Sequence, residues 1–266
     1  MHSTLVILVA AHLLGVFVLR PLSAAAQRPS VAAVLTQAGI VAAAMVVLMG
    51  GWCTRLVIAV AVAHALAGLV RWFVMQGTMW TEIGRFTIDQ TVRVAAAVAL
   101  AVMYQHAAAE GVWLREWPPE LQRWYMIALT FLCGAIVCVV VGGEVIGILT
   151  PPLLREIKDA QQAAARRANP DGEGRYVILN ESDLDGLRRG GRYIGWLERS
   201  LVLILVLMNQ VNAVGFVVTA KSILRYGDIR DSHQRRVTEY VIIGTFLSFG
   251  WAILTAVLTR KAIDLW

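Results

Sequence analysis

Residues 190–226 read GGRYIGWLERSLVLILVLMNQVNAVGFVVTAKSILRY, and residues 239–258 read EYVIIGTFLSFGWAILTAVL. Two long apolar runs are bracketed and interrupted by Arg192, Glu198, Arg199, Lys221, Arg225 and Glu239. Each run approaches the roughly 20 residues that a helix needs to span a bilayer. An ionisable group at bilayer depth is expensive, so it marks a pathway, a site or a structural ion pair. A strand reading fails, because membrane strands alternate over segments of about ten residues and these runs are continuous.

The same pattern repeats along the chain. Of 266 residues, 58% are hydrophobic and 16% charged, against roughly 25% charged in a soluble domain. The expected fold is all-α, a polytopic transmembrane bundle of seven spans at 3–19, 31–49, 56–75, 86–106, 124–149, 198–220 and 237–259. Arg20-Pro21, Gly50-Gly51 and Pro151-Pro152 punctuate the runs, as breakers do. Ala24-Ala25-Ala26 after the first run resembles a signal-peptidase site, but only His2 stands where a basic n-region belongs. The first run is therefore read as a retained helix. The organisation is a five-span region 1–152, a basic helical insert 153–192 and a two-span region 193–266.

The net charge is +6, which fits Arg-rich cytoplasmic loops. No nucleic-acid-reading module is visible. Cys53, Cys133 and Cys138 form neither a disulfide framework nor a zinc spacing. The insert opens with LLREIKDAQQAAARRA at 153–168, breaks at Asn169-Pro170-Asp171-Gly172 and restarts near Asn180, an acceptable N-cap. Its Arg155, Lys158, Arg166, Arg167, Arg175, Arg188, Arg189 and Arg192 place it in the cytoplasm. Seven crossings then put the N-terminus outside, and Arg20, Arg28, Arg260 and Lys261 inside. One conflict remains. Lys221, Arg225, Arg230, Arg235 and Arg236 fall outside by that count. Either 198–220 crosses fully, with Asn209, Gln210 and Asn212 bonding neighbouring helices, or it is a broken, re-entrant helix. Full crossing is the simpler expectation.

Four blocks carry a resemblance: GGEVIGILTPPL at 142–153, GRYIGWLER at 191–199, GFVVTAKSILRY at 215–226 and EYVIIGTFLS at 239–248. They resemble the bacterial inner-membrane family catalogued as domain of unknown function 3307, over most of the chain. The resemblance implies a fold and a location, the bacterial inner membrane, but no reaction. Its members typically carry His-x-x-x-Asp-Phe on the first helix, His-x-x-x-Asp on a later one and Asp-Gln-x-x-His on the next. Such spacing puts two ligands on one helix face, as in bundle metal sites, and implies an intramembrane metal centre with hydrolytic chemistry. Here the pattern is degenerate. His12 is followed by Val16, His64 by Gly68, and Asp89-Gln90 by Arg93. His12, His64 and Asp89 remain as residual metal candidates. Arg93, one turn after Asp89, is positioned to neutralise it and to repel a cation. The expectation is an Asp89–Arg93 ion pair, with no metal and no cofactor.

Lys221 and Arg225 share a helix face, and a Lys with an Arg suits a phosphate. Arg192, Arg199, Lys221 and Arg225 are thus the anionic-ligand candidates, with Glu198 and Glu239 as ion-pair candidates. Basic residues near helix ends also simply anchor a span. Glu144 is a lone intramembrane carboxylate, Gly143 and Gly147 suit close helix packing, and Trp113, Trp117, Trp124 and Tyr125 suit an interfacial belt. The expected function is a non-catalytic membrane protein that binds an anionic lipid or a cytoplasmic protein. The alternatives are a metal-dependent lipid-phosphate hydrolase and a small anion transporter.

Overall fold

The computed structural model describes residues 1–19, 31–51, 53–74, 82–150, 181–226 and 235–266, with the side chains of 72–74, 181–190, 224–226 and 235–241 outside that description. Arg20, Arg28, most of the expected insert, and the side chains of Arg225 and Glu239 therefore lie outside the described residues. So does the helix start expected near Asn180.

Every described element is helical. Helix α1 is His2–Leu13, continued by a π turn Leu14–Val18. Then follow α2 Val31–Met49, α3 Thr54–Val74, α4 Glu82–Met103, and the short α5 Ala107–Glu110 and α6 Val112–Glu116. Helix α7, Pro119–Ala135, runs through a second π segment Ile136–Val141 and stays helical to residue 150. The last three are α8 Glu181–Leu207, α9 Val211–Tyr226 and α10 Arg235–Ile263. Among the described residues, five stretches are long and apolar enough to cross a membrane: Val31–Met49, Thr54–Arg71, Glu82–Met103, Pro119–Thr150 and Ile242–Ile263. Large apolar side chains such as Leu197, Phe216 and Phe246 are exposed. Water disfavours such a surface and lipid accepts it.

The chain divides into two units, Met1–Val140 with Leu258–Trp266, and Val141–Val257. In the first, α1 packs against α2, α4 and α7, and α3 against α2 and α4. Small residues permit this. Ala10, Ala11, Ala42, Ala97 and Ala101 are buried together around Ile7, Val41, Met45 and Leu56. A Cβ at Gly15 would stand 2.5 Å from Val41 Cγ2, so only glycine lets α1 and α2 approach there. Gly68 meets Val34 of α2 in the same way. The Gly15 carbonyl, inside the π turn, accepts from Gln37 Nε2 at 2.5 Å.

One end of this unit is tied by polar contacts. The Met1 amine donates to the Gln105 carbonyl at 3.1 Å. The last carbonyls of α2 accept from Trp113 Nε1 and Tyr125 Oη. These aromatic rings thus cap a helix, and Trp117 stacks between them. Trp266 donates to Thr130 and shares a cavity of about 390 Å³ with Met1, Gln105 and Pro119. Both termini therefore lie at one end. Five stretches of membrane length are present among the described residues, and the seven expected spans are not all seen.

The second unit holds a break in the chain. Residues 198–220 are not one helix. Asn209 has φ 61°, a left-handed conformation that asparagine tolerates better than most residues. Asn209 N–H bonds the Val206 carbonyl at 3.1 Å and Gln210 N–H the Leu205 carbonyl at 2.7 Å. That pair of bonds is a Schellman stop. Helix α8 ends at Leu207, α9 begins at Val211 after three intervening residues, and the two pack as a hairpin. The expectation of a single sixth span is replaced by this hairpin. The basic insert also does not end at 192 as a separate element, since α8 is continuous from Glu181.

Candidate functional site: a polar centre at half depth

Ten residues separate His2 from His12 in α1, Thr54 from His64 in α3, and Met103 from Arg93 in α4. Those helix ends share one end of the unit. At 1.5 Å per residue the three side chains stand about 15 Å in, half of a ~30 Å hydrocarbon core. All are buried: His12 2% exposed, His64 6%, Asp89 4% and Arg93 6%.

The contacts are continuous. His64 Nδ1 lies 3.0 Å from the Val60 carbonyl, and His64 Nε2 3.1 Å from His12 Nδ1. His12 Nε2 lies 3.1 Å from Gln90 Oε1. Gln90 Nε2 donates to Asp89 Oδ2 at 3.0 Å. Arg93 Nε donates to Asp89 Oδ1 at 3.0 Å, and Arg71 reaches Oδ2 at 3.3 Å. A buried carboxylate is tolerated when paired and hydrogen-bonded, and Asp89 is both. One carboxylate faces two guanidiniums, so the centre carries a net positive charge. Among the described residues, Arg93 NH1 is buried with no hydrogen-bond partner. The Arg71 side chain is 43% exposed, which leaves the centre an open edge.

Sequence reasoning brought out His12, His64, Asp89 and Arg93, and the structure brings these together. It missed Arg71 and the bridging role of Gln90. Arg71 is seven residues after His64, two turns along the same face, and that spacing was the available signal. Both His64 nitrogens and both Asp89 oxygens have partners within the protein. Among the described residues no three His, Cys, Asp or Glu side chains gather as a metal-holding group. Position 68, where the resemblance implies Asp, faces Val34 across a tight contact.

The C-terminal candidates sit differently. Lys221 Nζ is 2.5 Å from Glu198, with both side chains 15% exposed. Lys221 also lies 5.4 Å from the Phe249 ring centroid, a cation–π geometry. Arg199 is buried and donates to Ser248 Oγ at 3.1 Å. Three glycines make its seat: a Cβ at Gly142, Gly143 or Gly195 would meet the Arg199 side chain at 3.3, 3.1 or 3.0 Å. Gly143 thus accommodates a guanidinium rather than a neighbouring helix backbone, and a Cβ at Gly147 would meet nothing within 4 Å. Arg192 and Glu144 are exposed. Of these candidates, Lys221 is paired with Glu198 and Arg199 is bonded to Ser248.

Fold and site together define a helical membrane protein with an ionised polar centre inside its bundle. Comparison with models of protein families, with curated proteins and with solved structures returned no match for this chain.

Proposed function

We propose that this is a multi-pass membrane protein that binds an anionic, phosphate-bearing ligand at the open edge of its polar centre. One observation carries the reading: Arg93 NH1 is buried without a partner among the described residues, while the carboxylate beside it is already shared with Arg71. An unpaired buried donor on a charged group costs free energy, and an anion entering beside Arg71 offsets it. Two guanidiniums offer the planar forks that suit phosphate oxygens. This moves the anion from Lys221 and Arg225, whose described member is neutralised by Glu198, to Arg71 and Arg93. A degenerate member of the family named above, in a bacterial inner membrane, is the setting we propose.

The hairpin supports a six-crossing arrangement. It returns α9 to the side from which α8 enters, so Lys221, Arg225, Arg230, Arg235 and Arg236 join the basic insert on the cytoplasmic side. Arg260 and Lys261 then move to the opposite side, fewer cations than the five that move in, so the arrangement fits the positive-inside rule better.

The test is native mass spectrometry of the purified full chain with phosphatidylglycerol or phosphatidylcholine, paired with thermal melts in inorganic phosphate. A phosphatidylglycerol adduct that Arg93→Gln and Arg71→Gln both weaken supports a lipid head group. Stabilisation by inorganic phosphate alone points to a free anion. No adduct and no stabilisation overturn the reading.

A further inference from the structure

The first unit holds another cavity, at the end of α2. Met49, Gly51, Cys53, Glu110, Gly111 and Arg115 line about 360 Å³, within the ~300–1,000 Å³ of small-molecule sites. Three glycines build it. Gly50 has φ 67° where α2 ends, and a Cβ there would stand 2.6 Å from the Trp113 ring. A Cβ at Gly111 would collide with the Met49 carbonyl oxygen. Both contacts need glycine, and they let the α5–α6 connector fold over the end of α2. The Val112 N–H fastens it there by donating to the Gly50 carbonyl at 3.2 Å. Gly51 leaves the space open, since a Cβ there would meet only Gly111 Cα, at 3.8 Å.

The connector sets opposite charges beside this space. Glu110 closes α5 and Arg115 lies in α6, and both are exposed. Among the described residues Glu110 has no ion pair, and Arg115 pairs with Glu116 at 2.7 Å, with more than half of each side chain exposed. Such a pair contributes little, so Arg115 is available to a ligand. A carboxylate and a guanidinium that line one cavity without pairing suit a ligand that carries both charges. Depth narrows the ligand further. The 19 residues of α2 make a helix of about 28 Å, close to the ~30 Å hydrocarbon core. Met49, Gly51 and Cys53 therefore lie at the edge of that core, at head-group level. Trp113, Trp117 and Tyr125 cluster at the same end, as interfacial aromatics do.

We propose that this cavity binds the head group of a zwitterionic phospholipid with a primary amine, phosphatidylethanolamine. Arg115 takes the phosphate, for which a guanidinium offers a planar fork. Glu110 accepts from the ammonium in a charge-assisted hydrogen bond. The quaternary ammonium of phosphatidylcholine has no N–H to donate to Glu110. Phosphatidylglycerol has no cation for it, and Glu110, Arg115 and Glu116 sum to −1, which repels an anionic lipid. The site is separate from the Arg71–Arg93 edge and does not depend on the anion reading.

The test is native mass spectrometry of the full chain in micelles containing phosphatidylethanolamine, phosphatidylcholine or phosphatidylglycerol. The wild-type protein should retain phosphatidylethanolamine about tenfold over phosphatidylcholine, the scale of one hydrogen bond to a charged group. Glu110→Gln should remove that preference, Arg115→Gln should weaken retention of both zwitterionic lipids, and Arg93→Gln should change neither. Cys53 lines the cavity and reports the location. Its alkylation by N-ethylmaleimide, followed on its own peptide, should slow with phosphatidylethanolamine and not with phosphatidylcholine. Equal retention of the two zwitterionic lipids by the wild-type protein overturns the proposal, as does a preference that survives Glu110→Gln. Protection of Cys53 by soluble glycerophosphoethanolamine as strong as by the lipid overturns the assignment to a lipid.

Discussion

Glu198 and Lys221, 23 positions apart, close an ion pair of 2.5 Å, and the turn at Asn209 and Gln210 lies midway between them. A straight helix would hold these two residues more than 30 Å apart at 1.5 Å per residue. The pair is the clasp of the α8–α9 hairpin. Glu198→Gln leaves a largely buried ammonium unpaired, and the expected loss is about 2–4 kcal/mol, somewhat under the figure for fully buried pairs. Exchanging the charges, with Lys at 198 and Glu at 221, should recover part of it. Thermal melts of the single and double variants in one detergent measure the coupling; a coupling near zero would sink the clasp.

The hairpin reverses the chain, so both termini should face the same side of the membrane. Reporter fusions at each end, together with thiol labelling of single cysteines placed near Met1 and Trp266, test this. Labelling of the two positions from opposite sides would mean that residues 198–220 cross after all.

Asn209 occupies a left-handed conformation that glycine adopts without strain. Asn209→Gly should therefore melt at or above the parent temperature, while Asn209→Ala should cost about 1 kcal/mol. Equal melting of the alanine and glycine variants would argue that the helix does not stop at this residue.

Removing Arg93 leaves Asp89 buried with only the half-exposed Arg71. Arg93→Ala should cost about 3–5 kcal/mol, as breaking a buried pair does. Arg71→Ala should cost under about 1 kcal/mol, since a partly exposed pair contributes little. Denaturation of the two variants under identical conditions gives the comparison, and equal losses would contradict the geometry.

The blocks that stood out in the sequence were legible for different reasons. GRYIGWLER contains Gly195 and Arg199, and GGEVIGILTPPL contains Gly142 and Gly143. Read along the chain they are small-residue patterns. In space Gly143 and Gly195 make room for the Arg199 guanidinium and Gly142 for the Trp251 ring, roles that no spacing rule encodes because the partners come from different helices. Asn209, Gln210 and Asn212 did announce a break as one of two alternatives, and the charge conflict beyond Lys221 pointed the same way. The simpler full crossing was preferred because hydropathy is blind to a single left-handed residue.

The apolar runs and their breakers determined, by themselves, that this chain is a bundle of membrane-length helices, because the length of a continuous apolar stretch is a local quantity. The i,i+4 spacing of Asp89 and Arg93 likewise placed them on one helix face. Whether His12 would meet His64 and Gln90, whether Arg71 would join Asp89, and whether the chain would double back at Asn209 were decided only by tertiary structure. Those contacts depend on which helix faces pack together and at what depth, and that is settled by close approaches such as Gly15 against Val41 rather than by any segment read alone.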